Sequence, residues 1–231
     1  MVPTLISVLK KGSMGEKQSV LTTLGELTDP AADAVLLKYL DELLAGKLAS
    51  ELQLELLEAA AKRNSQDIKE RLKKREDGLD PKDPLAAFRI ALSGGDAAAG
   101  RKVFMDKPEA SCSRCHKVNN EGGEVGPVLS GVGSRQTREY LLESIVEPNA
   151  KIAAGFESAM ITLKDGSIHA GILKNETDDE IILMPPTGTL EAVKKAEIKL
   201  REKGLSGMPP LGAVLTRRDL RDVVEYLSRL K

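Results

Sequence analysis

Apolar residues recur at helical spacing through most of the first 76 residues. Ala32, Val35, Leu36, Tyr39, Leu40 and Leu43 share one face of a helix that Asp29 caps, that Pro30 begins and that Gly46 ends. Ser13 with Glu16 forms a capping box ahead of Val20, Leu21, Leu24 and Leu27, and Ser50 with Gln53 forms another ahead of Leu52, Leu56, Ala59 and Ala60. Ser65 caps a further helix through Ile68 and Leu72 into the charged run from Lys73 to Asp77. Between Pro30 and Pro81 there is no proline, and the glycines there are Gly46 and Gly78. Residues 1–76 are therefore predicted to form a helical domain built of stacked hairpins.

Two Asp-Pro steps, at Asp80 and Asp83, and the pair Gly94-Gly95 mark residues 77–95 as a linker around a short helix, Leu85 to Leu92. A second domain, 96–231, opens on Asp96 as the cap of a helix bearing Val103 and Phe104. A Gly-rich loop follows from Glu121 to Gly133, then a helix capped by Thr137, carrying Tyr140, Leu141 and Ile145 and stopped by Pro148. From 157 the period falls to two. Met160 to Leu163, Ile168 to Ile172, Ile181 to Met184 and Leu190 to Val193 predict antiparallel strands separated by turns, an insertion of about 157–203. Thr216 and Asp219 box a last helix with Leu220, Val223, Val224, Leu227 and Leu230 on one face. The fold class is mainly α with a small antiparallel β insertion. The N-terminal hairpins resemble HEAT or armadillo-type repeats, although no clean internal period is present.

Charge and composition narrow the function. Lys and Arg number 34 against 35 Asp and Glu, so no basic field exists to make nucleic acid a main partner. No apolar run is long enough for a membrane span, and no signal peptide precedes residue 20. Two cysteines exclude a disulfide framework and two histidines exclude a histidine-rich metal centre.

Three of those four rare residues lie within five positions, Cys112-Ser113-Arg114-Cys115-His116. Cys-x-x-Cys-His is the attachment pattern of haem c: two thiols three residues apart reach the two vinyl groups of one porphyrin edge, and the next imidazole swings under the iron. The competing readings are a thioredoxin-like dithiol, which would open a helix after a strand, and half of a zinc site, which would need a fourth ligand from His169 or a carboxylate.

Around this motif, Gly100-Arg101-Lys102-Val103-Phe104, the run Gly126-Pro127-Val128-Leu129-Ser130-Gly131-Val132-Gly133, and the closing helix with Tyr226 resemble a class I cytochrome c. From Asp83 to Leu230 the chain is similar to the haem-binding domain family described from Planctomycetes and Verrucomicrobia, in which helical repeats precede a cytochrome core with a β insertion. The resemblance implies one haem c attached through Cys112 and Cys115, His116 as proximal ligand, and the Pro127 carbonyl as acceptor of the histidine's Nδ1 proton. It also implies Met208, in Gly207-Met208-Pro209-Pro210, as distal ligand. Met184, in the similar run Met184-Pro185-Pro186-Thr187-Gly188, and His169 are the other distal candidates, and an open iron is the remaining one.

Ligation by His116 and Met208 favours one-electron transfer and no bond chemistry, so no catalytic residue is assigned and the implied partner is a redox protein or domain. A vacant distal face would favour a gas sensor or a peroxidase-like domain instead. Within residues 100–117, Arg101, Lys102, Lys107, Arg114 and Lys117 exceed Asp106 and Glu109 by three charges, a patch able to steer an acidic partner. Because haem c is attached outside the cytoplasmic membrane, the chain is expected to be a piece of a periplasmic or otherwise exported redox protein.

Overall fold

A computed structural model describes residues 1–185 and 187–231; Pro186, in the second Met-Pro-Pro run, lies outside the described residues. Five helices come first: α1 (Val2–Lys11), α2 (Met14–Glu26), α3 (Pro30–Leu44), α4 (Gln53–Ala61) and α5 (Gln66–Asp77). The Ser13–Glu16 capping box closes on α2, and the Asp29 side chain accepts from Ala31 N at the start of α3. Two expected caps do not form. Ser50 to Leu52 is a 3-10 turn leading into α4, and Gln53 instead donates to the Leu48 carbonyl; the Ser65 side chain makes no cap bond. Helix α1 lies ahead of the first expected helix. Its Pro3 sits in the first turn, where the missing N–H would have had no helical partner. Helices two apart in sequence pack together, α2 on α4 and α3 on α5, around Leu21, Leu24, Leu36, Leu40, Leu54, Leu56 and Ile68.

Residues 78–96 reach both cores through Leu85, Ile90 and Ala91, which are buried. Instead of a helix over Leu85 to Leu92 there is a 3-10 turn, Arg89–Leu92. Its Ile90 joins the N-terminal core, while Leu85 and Ala91 join a second core behind it. That second core gathers α6 (Ala97–Asp106), α7 (Cys112–Cys115), α8 (Val132–Arg135), α9 (Arg138–Val146) and α10 (Arg217–Ser228) around Phe104, Leu142, Ile145, Leu220, Val223 and Val224. Helices α6 and α10 cross at Gly100, where any side chain would overlap the backbone carbonyl of Asp222. One turn on, the rings of Phe104 and Tyr226 meet at 5.7 Å between centroids and 55° between planes, an ordinary tilted aromatic pair.

Helix α10 is enclosed on every side over its last two turns, Leu220 to Leu227. Leu220 through Leu227 are all buried, including Arg221, Asp222 and Glu225. Its apolar face fills the second core, and its polar face meets the N-terminal helices. Arg221 Nη1 donates to both carboxylate oxygens of Glu55, at 2.8 and 3.0 Å, and Arg218 pairs with Glu55 and Glu58. Gln18 Nε2 donates to the carbonyls of Glu51 and Gly94, stitching the same junction.

Between α9 and α10 five strands form one antiparallel sheet: β1 (Ser158–Leu163), β2 (Ile168–Glu176), β3 (Glu180–Met184), β4 (Glu191–Lys194) and β5 (Ile198–Lys203), in the order β4-β3-β2-β1-β5. Ala159, Ile161, Leu163, Ile181, Leu183 and Val193 make its own small core. Strand β5 alternates only at Ile198 and Leu200 before the charged run Arg201 to Lys203 and buries no residue fully, and it is the pairing with β1 that makes it a strand.

Candidate haem site

The motif is built on one helical turn. Ala110 N and Ser111 N both bond to the Lys107 carbonyl, Ser111 takes a left-handed conformation with φ 47°, and α7 follows at once. His116 N closes the turn on Cys112 O at 2.9 Å, after which His116 is extended (φ −109°). Ser113 Oγ donates to the Met105 carbonyl at 3.1 Å and ties the turn to α6. The loop beyond folds back onto it: Gly123 N bonds to Ser113 O, Gly126 N to Cys115 O and Leu129 N to Lys117 O. At Gly122 the backbone has φ 106° and a side chain would overlap the His116 carbonyl, so only glycine satisfies both demands.

This return path fixes the imidazole. His116 Nδ1 lies 2.8 Å from the Pro127 carbonyl oxygen. A carbonyl can only accept, so Nδ1 carries the proton and Nε2 keeps its lone pair. A Cβ on Gly126 would come within 2.7 Å of His116 Cε1, so the absence of a side chain there lets the loop lie against the ring. Burial lowers the histidine's pKa, opposed by the bond to Pro127, and the neutral form is the one that can bind a metal.

The setting of Cys112 is not that of a redox pair. Burial pushes the Cys112 thiol up to about 11, the opposite of the depressed pKa that a thioredoxin-like dithiol requires. Nor do the donors form a cage: among the described residues no three His, Cys, Asp or Glu side chains converge to hold a metal ion. Two thiols on one turn, followed by an imidazole held from behind, suit covalent attachment to a porphyrin edge with the histidine presented to its iron.

The candidate distal residues fall in different places. Met208 is half-buried against the second core, the cluster that also takes in Cys112 and Leu129. Its loop is anchored at several points: Met208 N donates to Ser206 Oγ, Ser206 N to Asn149 Oδ1, and Leu211 N to the Ile145 carbonyl of α9. Met184 ends β3, paired with Ile172 and with its backbone close against Gly171. His169 lies on β2 with its Nδ1 3.0 Å from Glu191 Oε2, so its ring is engaged within the sheet.

The expected basic patch is largely neutralised. Arg101 pairs with Glu121 at 2.6 Å, Lys117 with Glu124 at 2.5 Å and Lys107 with Asp219 at 3.0 Å. The carboxylates come from beyond the 100–117 window, which is why counting within it overstated the positive field.

Residues 97–181 match the family model for Cytochrome c. No curated protein matches the chain. The chain thus carries a c-type cytochrome domain. Domains of this family hold haem c covalently through cysteine and serve haem-based electron transfer with redox partners. The match takes in Cys112, Cys115, His116 and Pro127 and stops before Met208. Among the described residues no helix is long and apolar enough to cross a membrane.

Proposed function

We propose that this protein is a single-haem electron carrier in which Cys112 and Cys115 anchor haem c, His116 is the proximal ligand and Met208 the distal one. The observation that carries this reading is the His116 Nδ1 to Pro127 carbonyl bond of 2.8 Å, which leaves Nε2 free and aimed by the loop. The Met208 loop adds support, because it packs on the same apolar cluster as Cys112. Bound haem iron supplies a one-electron couple; a thioether on one face favours the ferrous state and raises the potential. The chain's own task is then to hold the imidazole neutral and fixed, to keep the cluster around Phe104 and Leu142 dry, and to keep the thioether in place. We place the protein in the periplasm or another exported setting, because haem c is attached there, and assign it to a larger redox assembly with the HEAT-like helical domain as part of its scaffold.

Coexpression with a c-type maturation system, followed by spectra of wild type, Met208→Ala and Met184→Ala, tests the ligand set. The ferric methionine-to-iron band should be lost in Met208→Ala and kept in Met184→Ala. Loss in Met184→Ala alone would replace the distal ligand. Ready carbon monoxide binding by wild-type ferrous protein would turn the reading into that of a sensor, and failure to attach haem would remove both.

A further inference from the structure

A cavity of about 280 Å³ opens between α6, α10 and the loop that follows His116, apart from the proposed haem ligands. Met105 and Val118 give it an apolar base, and the rest of its lining is polar. One wall is a tight turn. Val118 and Glu121 exchange backbone hydrogen bonds of 2.9 and 3.0 Å, and the two residues between them are asparagines, Asn119 at φ 53° and Asn120. Neither asparagine amide bonds to another described side chain or backbone group; the backbone N of Asn119 is the group held, by Ser130 Oγ. The facing wall is Arg101 of α6, paired with Glu121 at 2.6 Å, and Tyr226 of α10. Tyr226 is 8% exposed, yet its hydroxyl makes no hydrogen bond to a described residue, whereas a tyrosine so buried ordinarily has a partner. Burial raises the pKa of that hydroxyl, and Arg101 and Glu121 are near enough to act on it in opposite senses, so it stays protonated and able to donate.

These groups select the chemistry of an occupant. Arg101 and Glu121 cancel, so the lining carries no net charge and favours neither an anion nor a cation. Two amides and a phenol beside an ion pair offer donors and acceptors within one small space. A hydroxyl is the ligand group that uses both at once, because it donates one hydrogen bond and accepts others. The apolar base calls for a C–H face on the same molecule. The volume lies at the lower edge of small-molecule sites, which suits one ring and not two. We propose that this cavity binds a single sugar ring, a pyranose, whose hydroxyls meet Tyr226, Asn119 and Asn120 and whose C–H face rests on Met105 and Val118. The ring is either a free monosaccharide or the end of a longer glycan, and the site does not depend on which residue is the distal haem ligand.

Titration of the haem-loaded full chain with D-glucose, D-galactose, D-mannose and N-acetyl-D-glucosamine, and with their methyl glycosides, tests the proposal by nitrogen-15 NMR. At least one sugar should bind with a Kd of about 1 mM and shift the side-chain amide resonances of Asn119 and Asn120. Tyr226→Phe keeps the ring against Phe104 and removes one hydrogen-bonding group, so it should weaken that sugar about fivefold, as should Asn120→Ala. Tyr140→Phe, on α9 and outside the cavity, should leave binding alone. Equal binding of the methyl glycoside assigns the site to the end of a glycan, and binding of the unsubstituted sugar alone assigns it to a free monosaccharide.

No shift of the two asparagine amides by any of these sugars at about 50 mM would overturn the proposal. Sugar binding that Tyr226→Phe and Asn120→Ala both leave unaltered would overturn it as well, by placing the ligand elsewhere. Displacement of the sugar by an equal concentration of inorganic phosphate would make the cavity an anion site instead. Wild-type ferrous protein that binds carbon monoxide and still binds the sugar would remove the electron-carrier reading and leave this one standing.

Discussion

Removing the Glu55 carboxylate should be among the most damaging single changes on the surface between the N-terminal helices and α10. Glu55 and Arg221 have side chains 2% and 4% exposed, and two hydrogen bonds join them. In Glu55→Ala the Arg221 guanidinium stays buried with one carboxylate nearby, Asp222 at 3.5 Å, and its Nε already lacks a hydrogen-bond partner. Stranding a buried charge in this way costs about 3–5 kcal/mol. For a chain of this length that is roughly 10 °C in Tm. The neighbouring pair Arg218–Glu58 is about 40% exposed on both sides, so Glu58→Ala should cost about 0.5 kcal/mol. Because the chain has no tryptophan, unfolding in urea is best followed by far-ultraviolet circular dichroism and by haem absorbance together. Both probes should move, since the pair joins the helical part to the haem part. Glu55→Leu/Arg221→Met, which removes both charges, should recover most of the loss. If Glu55→Ala and Glu58→Ala cost the same, about 1 kcal/mol or less, then burial of the pair carries no energetic weight and the reasoning fails.

Two further changes probe the same helix. Gly100→Val should destabilise by about 3 kcal/mol, because the new side chain overlaps Asp222 and must push α6 from α10; a loss under about 1 kcal/mol in a thermal melt would mean the crossing is loose. Asp219→Asn tests a pH dependence. Burial raises the Asp219 pKa, but bonds from Thr216 and Lys107 outweigh it and hold the carboxyl below its ordinary value. A depressed carboxyl stabilises above its unfolded pKa, and that stability is lost as pH falls through the folded one. The substitution should cost about 1 kcal/mol near neutral pH and progressively less as pH falls through the depressed folded pKa, so a loss independent of pH would refute the ionic origin.

What could be read from the chain depended on how far apart the cooperating residues lie. Cys112, Cys115 and His116 sit on one turn, so their chemistry is legible from spacing alone. The apolar face of α10 is equally legible, because Leu220, Val223, Val224 and Leu227 follow the helical period. Its polar face is not. Arg221, Asp222 and Glu225 look solvated until Glu55, Asp96 and Arg138 arrive from distant parts of the chain. The same distance effect misled the charge count around the motif, where Glu121, Glu124 and Asp219 supply the counter-charges. Strand β5 escaped because its alternation stops after Ile198 and Leu200 and gives way to the charged run Arg201 to Lys203, with no residue fully buried. Among the caps, Ser13, Asp29, Thr137 and Thr216 bond as their sequence context suggests, whereas at Ser50 a 3-10 turn takes over the capping position.

Helix α10 also sets the order in which the molecule can be completed. The contacts that close the second core join residue 100 to residue 222, and those that join the two halves reach from residue 55 to residue 221. Both depend on α10, and such long loops are slow to close. The thiols of Cys112 and Cys115 lie about a hundred residues before it in the chain. Until α10 docks they therefore belong to a domain whose core is open, and its docking closes that core and ties the N-terminal helices to it.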